Sequence, residues 1–105
     1  MRKSYRVVLL REAFEDIDRI IDYIKEYSPA NAAKVLNRLW DASQSLEILP
    51  HRYEVYRSYR DRNRVVHSMA VPPFIVYYRI LEQHQTVEVM TIRHGSRRQP
   101  RNFHR

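Results

Sequence analysis

The chain has 105 residues, 44% of them hydrophobic, with no cysteine and a formal net charge of +7. That length suits one domain with one modest core, and the missing thiols exclude disulfides and cysteine-ligated metals. The apolar stretch from Ala70 to Tyr78 is broken by Pro72 and Pro73 and falls short of the ~18 residues a membrane helix needs. The N-terminal apolar run, Val7 to Leu10, is too short for a signal peptide, so a cytoplasmic protein is expected.

The charge is unevenly placed. Residues 1–49 carry eight Lys/Arg against eight Asp/Glu, whereas residues 50–105 carry eleven against four, so the whole excess lies in the second half. Sixteen of the nineteen basic residues are Arg, whose planar fork suits phosphate and carboxylate. A basic half of this kind implies an anionic partner, either nucleic acid or an acidic protein segment.

Ser4 to Leu10 reads as a short strand from its β-branched and aromatic content. Glu12 to Tyr27 reads as a helix with Phe14, Ile17, Ile21 and Ile24 on one stripe. Its first turns hold Glu12, Glu15, Asp16 and Asp18, where the helix dipole favours negative charge. Ser28-Pro29 is an N-cap followed by a first helical residue. The second helix is expected from Pro29 to Leu49, with Ala32, Leu36, Leu39, Ser43 and Leu46 facing inward, and Pro50 ends it. With almost no linker, the two helices must fold back as an antiparallel hairpin.

His51 to Asn63 has no clean period and interleaves Tyr53, Tyr56 and Tyr59 with Arg52, Arg57, Arg60 and Arg62. Such interleaving suits a solvated loop, or stacking and phosphate contact on single-stranded nucleic acid. Three strands follow: Arg64 to Val71, Phe74 to Leu81 and Thr86 to His94. In the middle one Phe74, Val76, Tyr78 and Ile80 share the face expected to meet the helices, which puts Arg79 on the open face. The last strand is apolar on both parities, Val87 and Val89 against Met90 and Ile92, so its orientation stays open. The expected architecture is α+β in the order β-α-α-β-β-β, a helical hairpin packed on one face of a small, mainly antiparallel sheet. One domain spans residues 1–105, with about 99–105 as a flexible tail.

Familiar catalytic motifs are missing: no glycine-rich phosphate loop, no HExxH, no cysteine nucleophile. The five histidines have no short ligand spacing, so neither a metal nor another cofactor is expected. What remains is Arg and His on the open face and rim of the sheet: Arg64, His67, Arg79, Arg93, His94, Arg97 and Arg98. Arginines bind a phosphate and stabilise charge growing on it, and a histidine moves protons near neutral pH. RNA cleavage by a 2′-hydroxyl needs those roles. Plainer readings stand beside it: Arg79 pairing with a carboxylate, His67 as a sheet-surface residue, His94 capping the strand end by hydrogen bonds.

The layout resembles the RelE/ParE superfamily of toxins from bacterial type II toxin–antitoxin modules, also called plasmid stabilisation proteins. The pieces that carry the likeness are the first helix around Asp16-Ile17-Asp18-Arg19-Ile20-Ile21-Asp22-Tyr23-Ile24 and the Ser28-Pro29-Ala30-Asn31-Ala32-Ala33 junction. They continue with Leu46-Glu47-Ile48-Leu49-Pro50, the strand Phe74-Ile75-Val76-Tyr77-Tyr78-Arg79-Ile80, and Val89-Met90-Thr91-Ile92-Arg93-His94-Gly95-Ser96-Arg97-Arg98. The resemblance implies a growth-inhibiting toxin neutralised by a cognate acidic antitoxin in a hetero-oligomer. The junction and the Arg-His-Gly-Ser-Arg-Arg exit look closer to ParE-like members, which poison DNA gyrase; Arg79, Arg93, His94, Arg97 and Arg98 are then the surface for antitoxin or target. The alternative implied is a RelE-like, metal-independent endoribonuclease acting on mRNA at the ribosome, with Arg64, Arg79 and His94 catalytic. A further alternative is a non-toxic basic binding module on the same scaffold.

Overall fold

The computed structural model describes residues 4–57, 65–96 and 99–100. Strand β1 (Arg6–Leu9) leads directly into helix α1 (Arg11–Lys25), and helix α2 (Pro29–Gln44) folds back beside it. Three strands of one sheet follow a short edge strand: β2 (Val55–Arg57), β3 (Val66–Val71), β4 (Phe74–Leu81) and β5 (Thr86–His94). The strand order is β1-β5-β4-β3-β2. All pairings are antiparallel except β1 with β5, which is parallel; the helical hairpin carries the chain from β1 at one edge to β2 at the other. The expected α+β layering is therefore present. No described helix is long and apolar enough to cross a membrane.

The helix junction forms as its residues dictate. The Ser28 hydroxyl accepts the Asn31 N–H at 3.2 Å, and Pro29 occupies the first helical position, where its missing N–H costs nothing. Helix α2 stops earlier than expected, at Gln44 rather than Leu49, and continues as a 3₁₀ turn over Ser45–Glu47. The reason is at the C-terminal carbonyls. Arg52 donates to the carbonyl oxygens of Ser45, Ile48 and Leu49, holding a tight turn where the helix would have run on. Leu46 still reaches the core, fully buried.

The inward stripe of α1 is also rotated from the expected one. Ala13, Asp16 and Ile17 are buried, Ile20, Ile21 and Ile24 pack on the core, and Phe14 stays 51% exposed. On α2, Leu36 and Trp40 are exposed while Ala32, Leu39 and Ser43 are buried. Ala13 takes the fully buried position on α1, and Phe14 next to it faces outward.

The main core lies between helices and sheet and takes Phe74, Val76, Tyr78 and Ile80 from β4, as their alternation predicts. A second, smaller apolar cluster of Val66, Tyr77 and Met90 lies across the sheet, joined by Leu10, Tyr56 and Ile75. The orientation of β5 is settled by a bulge. Tyr77 pairs with Thr91 but Tyr78 pairs with Val89, so Met90 is an extra residue on β5. Val87 and Val89 enter the main core before it and Ile92 after it, while Met90 enters the second cluster. A strand apolar on both parities is what such a register shift requires.

The Arg/Tyr-rich segment is not wholly a loop. Val55–Arg57 pairs with β3, with its own register shift between Val55 and Arg57. Residues 58–64 lie outside the described residues, and with them Tyr59, Arg60, Arg62 and Arg64.

Candidate functional site

The exit of β5 is held on three sides. Gly95 N–H donates to the Pro73 carbonyl at 2.7 Å, which ties the exit to the β3–β4 turn. A Cβ at Gly95 would stand 3.2 Å from that same oxygen, a tight contact that the turn would have to relax by a few tenths of an ångström. Arg38 of α2 donates to the neighbouring Pro72 carbonyl. On the α1 side, Arg93 donates through Nε to Thr91 Oγ1 at 3.1 Å and reaches Glu12 with Nη2 at 3.3 Å.

His94 is fixed by its own turn. The Ser96 N–H donates to Nδ1 at 3.1 Å and the Ser96 hydroxyl lies 2.8 Å away. A ring nitrogen that accepts a backbone N–H carries no proton, which assigns the hydrogen of the neutral ring to Nε2. The Phe74 ring meets the imidazole edge-on, 5.5 Å between centroids. Gln99 Nε2 donates to the His94 carbonyl at 3.1 Å.

Arg79 sits elsewhere. It faces Glu88 across β4 and β5, with Nε 2.7 Å and Nη2 2.6 Å from the same carboxylate oxygen. Both side chains are nearly enclosed, 12% and 14% exposed. Ile75, not Arg79, stands opposite Arg93. Four strand positions, about 13 Å, separate Arg79 from that row. Arg93 and His94 share the end of β5, beside Ile75 and Phe74 respectively, and Arg79 does not. Arg64, Arg97 and Arg98 lie outside the described residues.

Between these positions lies an aromatic bridge. Tyr77 donates to Gln99 Oε1, and Tyr56 meets Tyr77 edge-on at 4.8 Å while donating to the Pro100 carbonyl at 2.9 Å. Gln99 and Pro100 are therefore packed, where a flexible tail was expected; residues 101–105 lie outside the described residues. Burial, with a smaller contribution from Tyr56, pushes the Tyr77 hydroxyl up to about 12, against a downward pull from Arg93.

His67 is not on the open face. It is 7% exposed, stacks on Tyr78 at 5.2 Å with ring planes 14° apart, and points Nδ1 at the Tyr53 carbonyl oxygen at 3.1 Å. Its parity pairs it with Tyr78, on the helix side. Beside it, His51 contacts Glu82, which also accepts the Tyr5 hydroxyl at 3.0 Å. That polar cluster was invisible in the sequence, because its members come from four separate segments.

Asp16, one of the acidic residues in the first turns of α1, does not face water. It is 4% exposed and accepts the Thr91 hydroxyl at 2.5 Å and the Ile92 N–H at 2.9 Å, with Arg19 on its other oxygen. The sequence did hold a signal. Asp16 lies three residues after Ala13 and four before Ile20, a core-facing interval for a helix.

Comparison with known proteins agrees with this architecture. Residues 7–99 match the family described as the ParE toxin of the type II toxin–antitoxin system, parDE. The chain is 33% identical over 92 residues to Toxin RelE2 of Caulobacter vibrioides, covering 88% of this chain and 97% of that protein. Its fold is similar to a chain of the chromosomal ParDE toxin–antitoxin system from P. aeruginosa, with a TM-score of 0.68, 18% identity, and coverage of 88% and 97%. It is also similar to a chain of the toxin–antitoxin complex RelBE2 from Mycobacterium tuberculosis, with a TM-score of 0.57, 22% identity, and coverage of 87% and 91%. The family match spans nearly the whole described fold, from β1 to the Gln99 bridge: the chain belongs to the ParE toxin family of type II toxin–antitoxin systems, within the RelE/ParE superfamily.

Proposed function

We propose that this toxin inhibits growth by binding DNA gyrase and trapping its cleaved DNA, and that a cognate acidic antitoxin neutralises it. The observation that carries the binding reading is the Arg79–Glu88 pair, enclosed and closed on itself. A phosphate clamp needs a guanidinium with free donors aimed at the reacting group. Arg79 has given its Nε and one Nη to Glu88, and it stands about 13 Å from the Arg93 row. Arg79 and His94, two of the three residues assigned to a ribonuclease, thus lie at different positions along the sheet, which supports the binding reading. Arg93 and His94 at the β5 exit, with Arg97 and Arg98 following in sequence, are the surface we assign to antitoxin and target. The net charge of +7 supports anionic partners for it.

The test is induction of the toxin alone, with pulse labelling of DNA and protein synthesis, followed by a supercoiling assay on purified protein and gyrase. DNA synthesis stops first and cleaved DNA accumulates. An arrest of translation with mRNA cut at the ribosome, abolished by Arg79→Ala or His94→Ala, makes the protein a RelE-type endoribonuclease instead. Unimpaired growth on induction makes it a non-toxic binding module.

A further inference from the structure

The described arginines that are neither exposed nor outside the structure are Arg57, Arg79 and Arg93. Arg79 has Glu88 and Arg93 has Glu12 and Thr91. Arg57 has no carboxylate among the described residues, and its Nε is sealed from solvent with no hydrogen-bond acceptor. An enclosed donor on a charged group without an acceptor is costly, and few native structures keep one without a ligand, ion or water to account for it.

Its placement is a product of the chain. The register shift in β2 pairs Val55 with His67, on the helix side, and Arg57 with Val66, in the cluster on the other side of the sheet. Tyr56 joins that same cluster, so the shift sends Tyr56 and Arg57 to one face. The guanidinium lies over the Tyr56 ring, 5.8 Å from its centroid. Its strand, β2, is one of the two edge strands of the sheet as described.

We propose that Arg57 is the receptor for a carboxylate from an acidic peptide segment, which in the reading above belongs to the antitoxin; the inference rests on that reading only for the peptide's source. Arg57 as a whole is only half-buried, so a carboxylate reaches the guanidinium at its open edge and neutralises its charge, while Nε stays enclosed. The neighbouring rings decide against nucleic acid. Tyr77 is 1% exposed, and Tyr56 carries Arg57 on its ring, Tyr77 at its edge and Pro100 on its hydroxyl. Neither offers the open ring face on which a base stacks.

The experiment titrates the full chain with decaglutamate and, separately, with a ten-nucleotide single-stranded DNA. It follows affinity by fluorescence anisotropy and the Arg57 Nε–H signal by NMR. Arg57→Ala weakens decaglutamate binding about tenfold, the loss expected for a charged hydrogen bond of roughly 1.5 kcal/mol. Arg57→Lys recovers only part of it, and the Arg57 Nε–H signal shifts on saturation. Arg6→Ala, the same charge change at an exposed site on β1, sets the baseline. Equal losses for Arg6→Ala and Arg57→Ala overturn the proposal, since net charge alone then explains the binding. Loss confined to DNA overturns it in favour of a nucleic-acid site. Growth on induction separates the two readings: a harmless wild-type chain refutes the toxin reading, and the titration still decides Arg57.

Discussion

Asp16 on α1 accepts the backbone N–H of Ile92 on β5 at 2.9 Å, although 76 residues separate them. β1 pairs with β5 only through Val89, because the chain leaves the sheet at Leu10 to start α1. The β5 edge beyond that point is left with unpaired donors, and Asp16 takes the place of the missing strand. We expect Asp16→Ala to destabilise the protein by about 3 kcal/mol, since it strands the Ile92 N–H and the Thr91 hydroxyl in the interior. Asp16→Asn keeps one acceptor and loses less. Urea unfolding measures both; equal stability for Asp16→Ala and wild type removes the role.

The Arg79–Glu88 pair makes a different prediction. Removing one partner leaves a charge enclosed, so Arg79→Ala costs about 3 kcal/mol. The double variant Arg79→Met with Glu88→Leu comes back to within about 1 kcal/mol of wild type, because apolar side chains of similar volume need no counter-charge. Under the binding reading that double variant also still arrests growth. A stable Arg79→Ala chain with no toxicity points instead to a guanidinium that acts on the target.

Tyr77 gives a pH dependence. Its hydroxyl ionises near 10 in the unfolded chain and is pushed up to about 12 by burial in the fold. Above pH 10 the unfolded state binds fewer protons than the native one, so the contribution is fully present below 10 and is lost as pH rises to 12. The loss amounts to about 2 kcal/mol across that window. Tyr5 and Tyr78 are shifted upward too, again chiefly by burial, and steepen the same limb. Urea midpoints at pH 9, 10.5 and 11.5 fall less for Tyr77→Phe than for wild type; parallel curves count against an enclosed phenol.

A stabilising change is available in the β4–β5 turn. Gln85 caps the 3₁₀ turn over Glu82–His84 with φ 45°, in the left-handed region, and is exposed. Gln85→Gly relieves the Cβ clash at that φ and raises stability by about 0.5 kcal/mol, less than the full strain because glycine also loosens the unfolded chain. A rise in thermal midpoint of a degree or more is the expected result, and a fall shows that the Gln85 side chain matters more than its backbone.

The sequence determined the local elements. Ser28-Pro29 placed the helix junction, the alternation from Phe74 to Ile80 named the face of β4 that meets the helices, and the apolar content on both parities of β5 left its orientation open. Those signals are periodic or nearest-neighbour, and they act within a few residues. The paired arginines, the buried Asp16 and the parity switch at Met90 were decided only in three dimensions. Each depends on which residue from a distant segment comes alongside. Whether Arg79 is a free cation rests on Glu88 across the strand pair, and whether Asp16 faces water rests on where β1 stops covering β5. The unpaired Nε of Arg57 has the same origin: a basic residue in a Tyr/Arg-rich stretch looks like its neighbours until the sheet encloses that donor without an acceptor.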